Sequence, residues 1–148
     1  MFEQLDGFDH KLLMALAVGD LTNSQLAARV GLSESQCYRR RARLEEAGAI
    51  QGYRARIDPR ALGLNVSAYV HLNMASQSKH QRRAFATYIN RYENVLSCRA
   101  VTGDTDYVLY VVVHDLSGLN ELVNKILAYT GDRMSVRSLV VLETIKET

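Results

Sequence analysis

The chain has 148 residues, 47% hydrophobic and 23% charged, and its 18 basic and 16 acidic side chains leave a formal charge of only +2. That length suits one medium domain or two small ones, and it buries enough apolar surface to fold without disulfide or metal staples. A charge so close to balance excludes a global basic field, so any affinity for nucleic acid must come from local clustering.

At the start, Leu5 and Phe8 are followed by Leu12, Leu13, Leu16 and Ala17, a helical stripe with Asp9 as its cap and Gly19 as its stop. Leu21 to Gly48 then reads as two short helices joined by a tight turn. Thr22 with Gln25, and Ser33 with Gln36, each fit the capping box, in which side chain and backbone satisfy each other's orphan groups. Leu21 and Leu26 fall at the staple positions of the first of these helices. Gly31, between Val30 and Leu32, suits the left-handed residue that ends a helix and turns the chain.

Along the second helix, from Ser33 to about Ala47, steps of about 100° put Cys37, Leu44 and, less comfortably, Arg41 on one face. Ser35, Gln36, Arg39 and Arg43 fall on the other, and Arg40 sits at the flank. An apolar seam backed by Gln and Arg is what a DNA recognition helix needs, since guanidinium groups match guanine edges and phosphates. A run of arginines alone is equally a solvated helix face. Two caps and a glycine turn around it favour a helix-turn-helix that binds double-stranded DNA through Thr22, Asn23, Ser33, Ser35, Gln36, Arg39, Arg40 and Arg43. Residues 1–57 carry eight basic and seven acidic side chains, so binding should be salt-sensitive and lean on two or more half-site contacts.

Ile50 to Ile57 alternates Tyr53, Ala55 and Ile57 with Arg54 and Arg56, as a strand with one basic face would, either a wing or a hinge. Asp58, Pro59 and Gly63 then punctuate the chain, and the expected organisation is a DNA-binding domain over 1–57, a linker over 58–64 and a second domain over 65–148. In that domain Val66, Ala68, Val70, Leu72 and Met74 alternate as a strand, and Phe85, Tyr88, Ile89 and Tyr92 stripe a helix. Strands follow over 95–102 and 106–113. Leu119, Leu122, Val123, Ile126 and Leu127 stripe a second helix, and 136–143 closes as a fourth strand. The order βαββαβ is that of the ferredoxin-like fold, so the chain is expected to be α+β, a three-helix, winged-helix-like domain followed by a ferredoxin-like one.

The strand over 106–113 is apolar on both faces, with Tyr107, Leu109, Val111 and Val113 on one and Val108, Tyr110 and Val112 on the other. Helices cover one face of such a sheet, so a second copy of the chain is expected on the other, giving a homodimer. RNA binding through that face would need a basic, Gly-containing aromatic strand, which is missing. Nothing points to an enzyme, a cofactor or a metal. His10, His71, His80 and His114 are scattered, and neither a nucleophile elbow nor a Gly-rich phosphate loop is present. His71, on a strand, reads as a hydrogen-bonded structural residue. Cys37 and Cys98 lack metal-ligand spacing and read as small core residues of a reduced, cytoplasmic protein. The longest apolar run, Tyr107 to Val113, is too short to cross a bilayer, and no secretory signal pattern opens the chain, so no membrane partner is expected.

Nearly end to end, these residues resemble the Lrp/AsnC (feast/famine) family of transcription regulators. Leu5, Asp6, Asp9, Leu12 and Leu13 resemble its opening helix. Gly31, Leu32, Ser33, Cys37, Arg39, Arg40, Arg43, Leu44 and Glu45 resemble its recognition helix, and Gly48, Ile50, Gly52 and Tyr53 the strand that follows. Gly103, Asp104, Asp106 and Tyr107 match the signature turn of its effector domain. The resemblance implies a C-terminal domain that dimerises, assembles further into octamers and binds an amino-acid effector between dimers. It places the effector at Gly103, Asp104, Asp106, Leu116, Leu139, Val140 and Val141. A carboxylate there suits an α-ammonium and turn N–H groups suit a carboxylate, although Gly and Asp are also ordinary turn residues. The chain departs from the family's usual pattern at Glu34, where many members have proline, and at Arg41, where an apolar residue is usual. Arg41 must either snorkel along the bundle or reach a phosphate. The rival function is an amino-acid-sensing module that regulates an enzyme by protein contact without DNA, and such a module would have no use for Arg39 and Arg43.

Overall fold

The structure is a computed structural model describing residues 5–19, 21–74, 78–130 and 134–146. They form two compact units, one running to Arg56 and the other spanning Ile57–Ile145.

The first unit holds α1 (Gly7–Val18), α2 (Asn23–Val30) and α3 (Glu34–Glu46). Reciprocal capping boxes start both α2, through Thr22 and Gln25, and α3, through Ser33 and Gln36. Gly31 between them has φ 78° and ψ 39°, the left-handed geometry the turn requires. At α1 the cap is Asp6 and not Asp9. The Asp6 carboxylate accepts the N–H groups of Phe8 and Asp9, and Asp9, three residues on, returns a bond from the Asp6 N–H at 3.0 Å. An Asp-x-x-Asp pair satisfies orphan donors in both directions, which moves the helix start three residues earlier than a lone Asp9 cap would.

Leu12, Ala15, Leu26, Ala27, Val30, Cys37 and Leu44 form the buried centre of this unit, each large side chain contributing roughly 1.5–3 kcal/mol by leaving water. Phe8 and Ala17 of the expected stripe face outward. The strand expected over 50–57 does not form. An extended segment needs a neighbouring strand for its backbone N–H and C=O groups, and among the described residues no strand lies in register beside it. Gly52, at φ 137°, bends the segment, and Tyr53 folds back onto α3. In the stretch that follows, Asp58 caps a short 3-10 turn over Pro59–Leu62, closed by Gly63 in the left-handed region.

In the second unit the order is β1 (Val66–Met74), α4 (Lys79–Ile89), β2 (Val95–Ala100), β3 (Tyr107–Val113), α5 (Leu116–Thr130) and β4 (Met134–Val140). The strands lie in the order β2-β3-β1-β4, all neighbours antiparallel, which is the ferredoxin-like arrangement. β4 starts two residues before the expected position and stops earlier, because its pairing follows β1 from Met74↔Met134 to Ala68↔Val140. Phe85 and Ile89 of α4 and Leu119, Leu122 and Ile126 of α5 pack over Ala68, Val70, Leu72, Leu109, Val111 and Val113. Between the two helices the Tyr88 and Tyr129 rings stack at 3.7 Å, and the Tyr88 hydroxyl donates to the Lys125 carbonyl at 2.8 Å and accepts from Tyr92. Burial pushes the Tyr88 pKa up to about 12. The opposite face of the sheet carries Tyr69, His71, Val108, Tyr110 and Leu139, with Tyr69 and Tyr110 rings 5.1 Å apart and Tyr69 and Leu139 exposed.

Candidate DNA interface and effector site

On α3, Cys37 and Leu44 are fully buried, and that fixes the rotation of the helix. The outward face then carries Ser35, Tyr38, Arg39 and Arg43, with Tyr38 64% exposed. Tyr38 is absent from the set expected from sequence. Its place one helical step beyond the buried Cys37 and beside Arg39 was the available signal, but attention to Gln and Arg passes over an aromatic ring that is equally able to contact a thymine methyl.

The four arginines of α3 have different surroundings. Arg39 is exposed and has no acidic partner among the described residues. Arg40 places Nη1 between Asp6 Oδ2 at 2.7 Å and Asp9 Oδ1 at 2.8 Å, with its guanidinium 5.6 Å from the Phe8 ring. Arg43 reaches Asp9 Oδ2 through Nη2 and leaves its side chain 55% exposed. Arg41 is neither free nor apolar in effect. Its Nε donates to the Tyr53 hydroxyl at 2.6 Å and to Glu45 at 3.3 Å, its Nη1 donates to the Leu21 carbonyl, and its guanidinium lies 4.4 Å from the Tyr53 ring. It packs along the bundle, so snorkelling describes it.

These bonds set the acidities. The Asp9 N–H and then the Arg40 guanidinium hold the Asp6 carboxyl below its ordinary pKa of 3.8. Burial works against a charge on Asp9, but the Asp6 N–H, the Arg40 guanidinium and the charge of Arg43 outweigh it, and its pKa is lowered too. Cys37 shifts the other way, its thiol pushed up by burial, as expected of an inert core residue.

The other expected DNA residues stand at helix starts. Thr22 Oγ1 accepts the Gln25 N–H, and Gln36 Oε1 accepts both the N–H and hydroxyl of Ser33, so these side chains are engaged in capping. Asn23 is half-buried, its Oδ1 sealed from solvent without a hydrogen-bond partner among the described residues. What α2 and α3 present there is a helix N-terminus with its dipole, a natural phosphate seat.

In the second unit the residues expected around an effector fall in two places. Gly103, at φ 107°, and the exposed Asp104 lie in the β2–β3 turn. Asp106 anchors that turn to β1, its Oδ2 accepting the Met74 N–H at 2.7 Å and its N–H donating to the Leu72 carbonyl at 3.1 Å. Thr105 beside it bonds His71 Nδ1 at 3.3 Å, the structural role expected of that histidine. Leu116, exposed, begins α5 just after β3, while Leu139 and Val140 end β4 and the Val141 N–H bonds the Ser67 carbonyl. Along β1 the anchors of the two groups, Leu72 and Met74 against Ser67, Ala68 and Tyr69, are three to seven residues apart, about 10–23 Å at strand rise. One chain therefore does not gather them around a single small molecule. A separate cleft of about 310 Å³ is lined by Tyr92, Asn94, Val112, His114, Glu121 and Lys125 among others, and includes none of the expected effector residues. Among the described residues no helix is long and apolar enough to cross a membrane, and no group of three His, Cys, Asp or Glu side chains is placed to hold a metal.

A capped helix-turn-helix followed by a βαββαβ ligand domain defines an effector-modulated, DNA-binding transcriptional regulator. The family models for the AsnC-type helix-turn-helix domain and the Lrp/AsnC ligand binding domain match residues 5–45 and 67–148, and the chain belongs to the Lrp/AsnC family. It is 34% identical over 145 residues to the leucine-responsive regulatory protein of Rhizobium meliloti, covering 97% of this chain and 93% of that one. The crystal structure of an AsnC family transcriptional regulator from Agrobacterium tumefaciens is similar with a TM-score of 0.85 at 32% identity, covering 97% and 94% of the two chains. That of a Neisseria meningitidis transcriptional regulator in complex with L-methionine also gives 0.85, at 36% identity and 98% and 94% coverage.

Proposed function

We propose that the chain reads operator DNA with the outward face of α3, and that an amino acid binding to its second unit changes how recognition helices are presented. The observation that carries this reading is the buried Cys37–Leu44 seam, which turns Ser35, Tyr38, Arg39 and the free edge of Arg43 outward together. In this reading those four meet base edges, Arg40 flanks the DNA backbone, and Thr22, Asn23, Ser33 and Gln36 set the starts of α2 and α3 against phosphates. The Neisseria relative supports an amino acid as effector class, having been solved with L-methionine. The split between the Gly103–Asp106 turn and the Leu116, Leu139, Val140 and Val141 group favours a site built by two copies, each supplying one half. A homodimer through the open sheet face, assembling further into octamers, supplies such contacts. The protein works in the cytoplasm and without catalysis.

Dimer symmetry leads us to expect pseudo-palindromic operators with half-sites about one helical turn, roughly 34 Å, apart or a multiple of that. The test is a gel shift on the protein's own promoter region, titrated with each amino acid, beside the Arg39→Ala plus Arg43→Ala variant. We expect the variant to weaken binding by at least tenfold, as two lost contacts of about 1–3 kcal/mol each would. An unchanged isotherm would assign the protein to contact-based enzyme regulation instead.

A further inference from the structure

Four charges close on one another where α1 meets α3. Asp9 is the one fully buried polar or charged side chain among the described residues, and its two oxygens take Arg40 Nη1, Arg43 Nη2 and the Asp6 N–H. Asp6 takes a second bond from Arg40. A carboxylate this deep is tolerated only with charged, hydrogen-bonded partners, so its position and those of both guanidiniums are fixed mutually. Two carboxylates and two guanidiniums also sum to zero, so these arginines add little to the long-range pull on DNA. Arg43 nevertheless keeps most of its side chain in solvent, beside Arg39 on the outward face of α3.

We propose that Asp9 is a positioning residue for operator recognition, buttressing Arg43 from beneath α3 and masking the charge of Arg40 and Arg43 from DNA of the wrong sequence. It sets specificity without touching DNA. The inference rests on α3 being the reading helix and adds what orders its guanidiniums. A fork held on one edge presents the other in one orientation, which favours a bidentate match and disfavours loose phosphate contacts.

The full-length protein is titrated by fluorescence anisotropy against its footprinted promoter site and a scrambled duplex over a range of salt, with folding checked by circular dichroism. Asp9→Asn is expected to bind scrambled DNA more tightly, with a salt slope steeper by about one. The ratio of operator to scrambled affinity falls about tenfold, the worth of one well-made base contact. In an Arg43→Gln background, Asp9→Asn lowers the ratio much less, because only the charge of Arg40 is left for it to unmask. Equal weakening on both duplexes would reduce Asp9 to a structural residue and overturn the proposal. Where Asp9→Asn fails to fold, Arg43→Lys decides. It keeps the charge and loses the fork, so an unchanged ratio overturns the proposal and a lowered ratio with unchanged scrambled binding upholds it. Wild-type operator affinity in Arg39→Ala would instead sink the α3 reading itself, whatever Asp9 does.

Discussion

Asp9 and Arg41 are two residues whose roles depend on partners far away in sequence. Periodicity reports on one element at a time, so it places Arg41 on the core face of α3 but cannot see Tyr53, twelve residues on, which gives the guanidinium a ring and a hydroxyl. Asp9 is taken for a cap for the same reason, since Arg40 and Arg43 lie 31 and 34 residues away. Cys37 and Leu44, by contrast, are legible, because burial along one helix is what a 3.6-residue period records. The carboxylates have a consequence for pH. Asp6 and Asp9 have folded pKa values depressed below 3.8, so their contribution to stability is fully present above the ordinary carboxylate range and is lost as pH falls through the folded values. Acid titration of helical circular dichroism should show part of the helix signal lost below about pH 4, and that component should be smaller in Asp9→Asn, where Asp6 alone still titrates. A helix signal flat to pH 2 would contradict the linkage.

At the scale of elements, boundaries were legible wherever local chemistry sets them. Both capping boxes of the helix-turn-helix lie within four residues of sequence, and the structure makes each of the expected bonds. Gly31 adds a clean case, since a Cβ there would meet nothing within 4 Å while φ stays at +78°. Gly31→Ala should therefore cost only backbone strain, ~1 kcal/mol, seen as a small drop in thermal stability with operator binding retained. A loss of several kcal/mol would mean that the turn is packed more tightly than it is here. Strands were less legible than helices. Alternation over 50–57 mimics a strand because the period says nothing of a neighbour, and β4 was displaced because its ends follow the extent of β1.

For the whole molecule, the order of elements carries the fold, since βαββαβ with short connections leaves few antiparallel arrangements and the observed one is the ferredoxin-like order among them. The residues expected around an effector by likeness to a family come to opposite ends of one sheet, and no reading of a single chain joins them. Assembly supplies the missing geometry in the proposed function. Tyr69 and Leu139 stand exposed on the sheet face opposite the helices, so Tyr69→Asp plus Leu139→Asp should convert the proposed dimer to monomers in sedimentation velocity, through buried like charges. A dimer mass unchanged by the pair would move the interface elsewhere.

The tyrosine cluster between α4 and α5 also makes the molecule its own optical reporter. The chain has eight tyrosines and no tryptophan, so tyrosine alone dominates its near-ultraviolet absorption and emission. Tyr88, Tyr92 and Tyr129 share one stacked, hydrogen-bonded site in the second unit, whereas the first unit holds only Tyr38 and Tyr53, both exposed. Near-ultraviolet dichroism therefore weighs the second unit, with six of the eight tyrosines, above the first. Far-ultraviolet dichroism weighs both, so the two wavelengths together resolve which unit melts first.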